Sequence, residues 1–390
     1  MGESERALGR PNPTAPPGGL GVTRRELLRW PALATLASLA SRAEPQQAPP
    51  PDPLPPIPRV NGGLNLHPIR RAGPLMGQPP TVGPDLVELQ TQILYELGFS
   101  SMRITLTFES FNQNFLAAVP YVRAARALGI DVVGVMADFR GFDLVRALVE
   151  PRARRKVVEA YLGVYAAPVR AASASISRVG SFSLQVLNEP THFLGIEPAV
   201  YVRDFLAPVY ADVKRLVPEL PVVAAASVGN VNGVLRTREM IQTGLESVCD
   251  VVAYHVYSEL TLPMLADLSD LPILVTESGA AGPENHLPWV EEMFPRIRSR
   301  IGGVGEVFYF DLLDAEPNRW RAIDVRVDEA GVAHLVAESP DLLQHWIDRV
   351  RRATAVPHAP FPELVPDFAT YAPTALDSAL VADAQIEIQS

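Results

Sequence analysis

The chain alternates short β-rich runs with longer amphipathic segments, and this order constrains its fold more than any other feature. The β-rich runs are mostly continuous apolar stretches without strict alternation, which is typical of parallel strands that are covered on both faces. We predict eight strands, at Gly62–Leu66, Ser101–Leu106, Asp131–Ala137, Ser183–Leu187, Val222–Ala226, Val251–His255, Ile273–Thr276 and Glu306–Phe310.

The segments between these strands have the apolar spacing of amphipathic helices. The first predicted helix begins at Pro84, and Gly98 follows its last turn, where a residue with positive φ commonly ends a helix. The helix after the sixth strand is weak. The other predicted helices are Phe115–Leu128, Phe142–Ala174, Val200–Leu216, Leu235–Ser247, Leu287–Ile301 and Leu342–Arg352.

Eight strands alternating with helices over about 290 residues predict an α/β fold, a single-domain (β/α)₈ TIM barrel. The alternative is an open doubly wound sheet. That fold would carry a phosphate-binding glycine fingerprint after its first strand, and the sequence from Gly62 to Asn65 does not supply one.

Composition excludes several classes of protein. The chain has 390 residues, of which 47% are hydrophobic and 20% charged, which is typical of a globular protein with a core. A net charge of −10 argues against a nucleic-acid partner, because phosphate contacts need a basic face. A single cysteine, Cys249, excludes a disulfide framework and a cysteine metal site.

The amino-terminal end predicts an export signal. The pair Arg24-Arg25 precedes the apolar segment from Pro31 to Ala40, and small residues follow it. A charged start, an apolar middle and small residues at the end form a secretory signal, and paired arginines resemble the twin-arginine type. We therefore expect residues 1–43 to be a signal peptide and the mature protein to be periplasmic or extracellular, without stable membrane insertion.

Proline-rich segments flank the predicted barrel. Proline removes a backbone donor and restricts φ, so such segments are not expected to form helices or strands. We interpret residues 44–59 as a linker, residues 60–352 as the catalytic barrel and residues 353–390 as a tail, with the flanking segments disordered.

Polar residues cluster where the predicted strands end. The fourth strand is followed by Asn188 and Glu189, the seventh ends at Thr276 and is followed by Glu277, and the second contains Arg103. Barrel active sites lie at the carboxyl ends of the strands. Two glutamates on strands three apart therefore face one bowl, which is the arrangement of paired-carboxylate glycoside cleavage.

Three motifs in strand order resemble those of the clan A glycoside hydrolases. They are Asn-Glu-Pro at 188–190, His-x-Tyr at 255–257 and Thr-Glu-Ser-Gly at 276–279. The sequence is most similar to family 5, with family 39 close behind, and the resemblance covers roughly residues 61–352. It implies a retaining enzyme acting on a glycan, without a metal or organic cofactor, with Glu189 as the general acid/base and Glu277 as the nucleophile.

The resemblance also implies supporting roles. Arg103 holds Glu277 ionised through charge-assisted hydrogen bonds. Asn188 binds the sugar 2-hydroxyl, Tyr257 orients the nucleophile, and His255 lines the same wall.

Other residues are assigned to the bowl by position. We expect Asn65 and His67, which end and follow the first strand, to line it. Where many family members have a tryptophan platform on the eighth strand, this chain has other aromatic residues, and we expect Tyr309 to bind substrate there. The third strand is followed by Asp138 where the family often has a histidine. These departures leave the sugar and the linkage open.

Each assignment has a structural alternative. Glu189 could be a helix N-terminal carboxylate, Arg103 could form a purely structural ion pair, and His255 and Tyr257 could be satisfied core groups. A metal-dependent barrel would need a ligand after the fifth strand, where the sequence is Ala226-Ser227.

A secreted carbohydrate-binding barrel without turnover is the non-enzyme alternative. It predicts replacement of a carboxylate or of its partner Arg or Tyr, and the sequence retains all of these groups. For either function we expect a monomer.

Overall fold

The computed structural model describes residues 58–66, 84–107, 114–137, 143–162, 182–314, 319–327 and 333–353. Within them, eight parallel strands form one sheet, and each lies within a few residues of its predicted position. The strands are β1 Gly63–Leu66, β2 Ser101–Thr107, β3 Asp131–Ala137, β4 Phe182–Val186, β5 Val222–Ala224, β6 Val252–Val256, β7 Ile273–Ser278 and β8 Val304–Tyr309.

The sheet closes into a barrel. Its hydrogen-bonded order is β5-β4-β3-β2-β1-β8-β7-β6. The last contact joins β5 to β6, because the backbone N–H of Ala224 donates to the Val251 carbonyl at 2.9 Å and a parallel bridge pairs Val223 with Val251. The predicted α/β barrel is confirmed, and all eight strands end at the same mouth.

Helices follow the strands and cover the sheet. They are α1 Pro84–Glu96, α2 Asn114–Ala127, α3 Asp143–Val149, α4 Pro151–Tyr161, α5 Pro190–Phe193, α6 Pro198–Val200, α7 Ala207–Leu216, α8 Val231–Gln242, α9 Leu262–Leu265, α10 Pro283–Pro288, α11 Phe294–Arg300 and α12 Pro340–Ala353. Two π-helical turns, Tyr201–Leu206 and Trp289–Met293, join α6 to α7 and α10 to α11. No helix in the described ranges combines the length and the apolar character needed to span a membrane.

Two of the differences from the predicted helix boundaries have clear local reasons. As far as residue 162, where this described range ends, the helix predicted at Phe142–Ala174 is divided into α3 and α4, because Pro151 cannot continue a helix and Glu150 caps the new one with its carboxylate. Helix α8 begins before the predicted start, because the Asn230 side chain accepts a hydrogen bond from the Gly233 N–H at 3.0 Å.

A three-stranded sheet between β8 and α12 was not predicted. It consists of β9 Leu313–Asp314, β10 Ile323–Val327 and β11 Ala333–Ala337, with β10 parallel to β9 and antiparallel to β11. The Gly282 N–H donates to the Arg319 carbonyl at 2.7 Å, which ties this insertion to the segment after β7. The insertion therefore lies at the mouth of the barrel.

The ends of the predicted catalytic region can be compared with the structure. The guanidinium of Arg59, predicted as linker, donates to the carbonyls of Phe99 and Leu128 and stacks over the Tyr95 ring at 4.6 Å. This residue is thus part of the barrel. The predicted signal peptide, most of the linker and all but the first residue of the tail lie outside the described residues.

Candidate active site

The segment after β4 adopts an unusual backbone that places Glu189 at the mouth. Leu187 and Glu189 have φ angles of 66° and 42°. These lie in the left-handed region, where the backbone of a residue other than glycine is strained. The turn is buttressed from inside the barrel, since the buried Gln185 amide donates to the Leu187 carbonyl at 3.0 Å. Glu189 precedes α5, and its side chain makes no capping hydrogen bond to that helix.

Glu277 lies near the end of β7 among several hydrogen-bond donors. Arg103 donates to its Oε1 at 2.8 Å, and the Tyr257 hydroxyl donates to its Oε2 at 2.7 Å. Burial raises the pKa of Glu277, but the charges of His255 and Arg103 and the hydrogen bonds from Tyr257 and Arg103 outweigh it. The pKa of Glu277 is consequently below its ordinary value, and the group is ionised near neutral pH.

Tyr257 is held in its neutral form. Burial and the adjacent Glu277 charge raise the pKa of its phenol well above the ordinary value. The hydroxyl therefore keeps its proton and remains a donor to Glu277.

Arg103 is a hub that connects both walls of the site. In addition to Glu277, its guanidinium donates to Gln185 at 3.0 Å, to Asn65 at 2.7 Å and to Asn188 at 2.7 Å, all through side-chain oxygens. Its predicted pairing with Glu277 is thus observed. Gln185 was not predicted as a site residue, since a polar residue inside an apolar strand carries no motif of its own.

Asn65 does not line an open bowl as expected. It is 2% exposed, and its amide nitrogen donates to the Thr276 and Tyr309 carbonyls at 2.9 and 3.2 Å while its oxygen accepts from Arg103. Its side chain is committed to holding β1, β7 and β8 around the guanidinium. Asn188, in contrast, is half-buried and uses its oxygen on Arg103, which leaves its amide N–H groups for a ligand. His67 lies outside the described residues.

The two glutamates meet at His255. Its Nδ1 is 2.6 Å from Glu189 Oε1 and 3.5 Å from Glu277 Oε2. One oxygen of each carboxylate and one ring nitrogen lie within 4.8 Å of one another, so these three atoms could serve as ligands of a metal ion. However, the 2.6 Å contact is a hydrogen-bond distance, and Arg103 already neutralises Glu277. The geometry therefore fits a hydrogen bond between His255 and Glu189 better than a site for a cation.

Tyr309 is misassigned by the sequence analysis. Its ring is fully buried on the outer face of β8, with its centroid 5.4 Å from that of Trp346 and 6.0 Å from that of His286. Its hydroxyl donates to the Trp320 carbonyl at 3.3 Å. A sugar cannot reach this ring, because side chains of neighbouring strand residues point to opposite faces and Tyr309 points towards the helices.

The aromatic wall of the mouth is formed by other residues. The Tyr257 ring centroid lies 5.0 Å from that of Trp320 and 6.2 Å from that of Phe310. Gly279 permits this approach, since a Cβ there would lie 2.2 Å from the Phe310 carbonyl oxygen. Trp320 comes from the insertion and was missed. The sequence did indicate an insertion, because the segment between β8 and α12 is far longer than the usual two to six residues of such loops.

Comparisons with known proteins place this geometry beside solved structures. No family model and no curated protein matches the chain. The chain is similar to the catalytic domain of GH30 xylanase C from Talaromyces cellulolyticus, at 12% identity and a TM-score of 0.48, covering 68% of this chain and 70% of that one.

Two further solved structures give comparable values. A family 51 α-L-arabinofuranosidase from Bifidobacterium longum is 13% identical, with a TM-score of 0.48 and coverage of 75% and 73%. An endo-β-1,4-mannanase from Thermotoga petrophila is 11% identical, with a TM-score of 0.47 and coverage of 77% and 78%. At identities of 11–13% and TM-scores below 0.5, these similarities carry no conclusion about the activity of this chain.

Proposed function

We propose that this protein is a retaining glycoside hydrolase that cleaves O-glycosidic bonds of a poly- or oligosaccharide. The observation that carries the proposal is the approach of two glutamate oxygens to within 4.8 Å in one buried site. The carboxyl groups of a retaining pair stand about 5–5.5 Å apart and those of an inverting pair about 6.5–9.5 Å, so the close approach of one oxygen from each glutamate favours a retaining pair.

The surroundings of the two carboxylates suggest different roles. Glu277 has a lowered pKa and is held by Arg103 and Tyr257, as suits a group that must be ionised and aligned to attack the anomeric carbon. Glu189 forms a hydrogen bond with His255 and accepts none from an arginine, as suits a group that gives and takes a proton.

In the proposed cycle, Glu277 attacks the anomeric carbon while Glu189 protonates the departing oxygen, and a covalent glycosyl-enzyme forms. Glu189 then deprotonates a water molecule, which releases the sugar and restores Glu277. The Asn188 amide donates to the sugar hydroxyl nearest the reacting carbon. Tyr257, Phe310 and Trp320 provide the apolar surface against which a sugar face packs.

The nucleophile is tested by Glu277→Ala with an aryl glycoside panel. We expect turnover to be lost, and added azide to produce a glycosyl azide of inverted configuration, because the azide takes the vacated place of the carboxylate. The exposed carboxylate Glu197 provides a matched control, and Glu197→Ala should behave as wild type. Turnover by Glu277→Ala at the wild-type rate would refute the assignment.

The acid is tested by Glu189→Ala with leaving groups of different basicity. Cleavage of substrates with good leaving groups should be largely retained, whereas poor leaving groups should be cleaved several orders of magnitude more slowly, because only they need protonation. Equal losses on both would contradict the role. Glycan binding without product, unchanged in Glu277→Gln, would instead support a carbohydrate-binding barrel without turnover.

Export and a monomeric state complete the proposal. Replacing Arg24-Arg25 by two lysines should stop secretion of the full chain in a bacterial host, since the twin-arginine pathway reads this pair. Gel filtration of the mature protein tests the oligomeric state.

A further inference from the structure

Most of the exposed large hydrophobic side chains among the described residues lie in segments that follow three neighbouring strands of the barrel. Among the described residues, five large hydrophobic side chains are exposed. Four of them follow strands β4, β5 and β6, namely Phe193 (69% exposed), Val231 (43%), Leu235 (46%) and Leu260 (75%). We call these four residues the apolar rim. The fifth, Val149 (53%), ends helix α3 elsewhere in the chain.

The elements that carry the apolar rim are neighbours. Helix α5, with Phe193, contacts helix α8, with Val231 and Leu235, and α8 contacts the 3₁₀ turn that carries Leu260. Val231 and Leu235 are four residues apart and so lie on one face of α8. Single exposed apolar residues are ordinary, whereas several of them on neighbouring elements favour a binding surface.

The apolar rim begins at the residue that we propose as the acid. Phe193 is in the short helix that follows Glu189, and its N–H donates to the Glu189 carbonyl at 3.0 Å. In the proposed mechanism the acid protonates the departing oxygen, so the leaving group lies on the Glu189 side of the bowl. The aromatic wall of Tyr257, Phe310 and Trp320 lies on the Glu277 side.

We propose that the apolar rim binds the alkyl chain of an alkyl-linked oligosaccharide, the group that departs when its bond to the first sugar is cleaved. Three of its four side chains are aliphatic, and aliphatic groups lack the ring faces on which sugars stack. An alkyl chain gains from removal of both apolar surfaces from water. This inference rests on the proposed function and specifies the aglycone side of its substrate.

The test uses methyl and octyl glycosides of the sugar that the aryl glycoside panel selects, below the concentration at which octyl glycosides form micelles. For wild type we expect kcat/KM to be at least about tenfold higher for the octyl than for the methyl glycoside, since each buried methylene contributes favourably. In Phe193→Ser/Leu260→Ser this ratio should fall about tenfold. Val149→Ser, which changes the same chemistry away from the rim, should keep the wild-type ratio.

Several outcomes would overturn the inference. A wild-type ratio near one, with aryl glycosides still cleaved, would reject the apolar leaving group and leave the glycosidase proposal intact. An unchanged ratio in the double variant, together with a change in oligomeric state, would show that the rim joins two copies of this chain. Faster cleavage of oligosaccharides than of octyl glycosides, with equal losses in the double variant, would assign the rim to a sugar. If no glycoside were cleaved, both proposals would fail.

Discussion

The two carboxylates of the site have different surroundings, which we call the wall of Glu277 and the wall of Glu189. The wall of Glu277 is rigid: three strands supply Arg103, Tyr257 and Asn65, and each of these side chains is itself held by hydrogen bonds. The wall of Glu189 is a strained turn, in which the carboxylate contacts His255 and its own backbone has a φ of 42°.

The difference follows from what each group has to do. A nucleophile must remain ionised and aimed at one atom, and fixed donors accomplish both. A general acid must change its protonation state twice in each cycle, and a permanent cationic partner would oppose the protonated form. The same barrel therefore gives Glu277 a hydrogen bond from an arginine and gives Glu189 a hydrogen bond with a histidine.

The largest effect is expected for Arg103→Met, which removes the central donor of the rigid wall. Glu277 would then be a buried charge without its cation, and the free energy of unfolding should fall by about 3–5 kcal/mol. Urea denaturation near neutral pH measures this loss.

The double variant Arg103→Met/Glu277→Gln is the control for that experiment. It no longer contains the unpaired charge, so it should recover part of the lost stability. If the double variant were no more stable than Arg103→Met, the pairing of Arg103 with Glu277 would not be the source of the effect.

An intermediate effect is expected for Tyr257→Phe, which removes one donor from Glu277. A hydrogen bond to a charged group contributes about 1.5–3 kcal/mol, so kcat/KM should fall by about tenfold to hundredfold. The lost hydrogen bond lowers the pKa of Glu277 in wild type, so the pKa should rise in the variant. Since the active form has Glu277 ionised, the acidic limb of the kcat/KM profile should move to higher pH.

The pH dependence of the free energy of unfolding should change in the same direction as that of kcat/KM. A carboxylate whose pKa is lowered by folding stabilises the protein above its unfolded-state pKa, and this contribution is lost as the pH falls through the folded-state pKa. In Tyr257→Phe, the loss of unfolding free energy on acidification should therefore begin at a higher pH than in wild type. A shift to lower pH would contradict the assigned hydrogen bond.

The smallest effect concerns the strained turn. Glu189→Gly and Glu189→Ala both remove the carboxylate, but only glycine adopts a positive φ without strain. We expect the glycine variant to be more stable by about 1 kcal/mol, measured by urea denaturation. Equal stability of the two variants would mean that the turn is not strained at Glu189. That result would contradict the description of the Glu189 wall as a strained turn.

The fold could be predicted from the sequence because strands that are buried on both faces of a sheet are continuous apolar runs. Runs such as Asp131–Ala137 are apolar at nearly every position, and the structure places a strand with these same bounds. Both glutamates were found because they interrupt such runs at strand ends. The cost of an unpaired charge in an apolar strand predicted a partner for Arg103, and the resemblance to the clan A glycoside hydrolases implied that this partner is Glu277.

The errors concern side-chain direction and long-range contacts. Tyr309 was expected in the bowl, yet the direction of a side chain depends on the register of its strand, and one residue separates the two faces. Asn65 was expected to meet substrate, yet it meets Arg103 and two carbonyls from distant strands. Trp320 reaches the mouth only because an inserted sheet carries it there.

The amino-acid sequence alone determined the alternation of strands and helices and the mouth at which the polar residues gather, since both follow from the local spacing of apolar residues. Tertiary structure alone decided which partners surround each carboxylate, which aromatic rings face the bowl and where the apolar rim lies. These depend on distances between residues far apart in the chain, such as the 2.6 Å between His255 and Glu189, and barrel closure sets such distances, not local sequence.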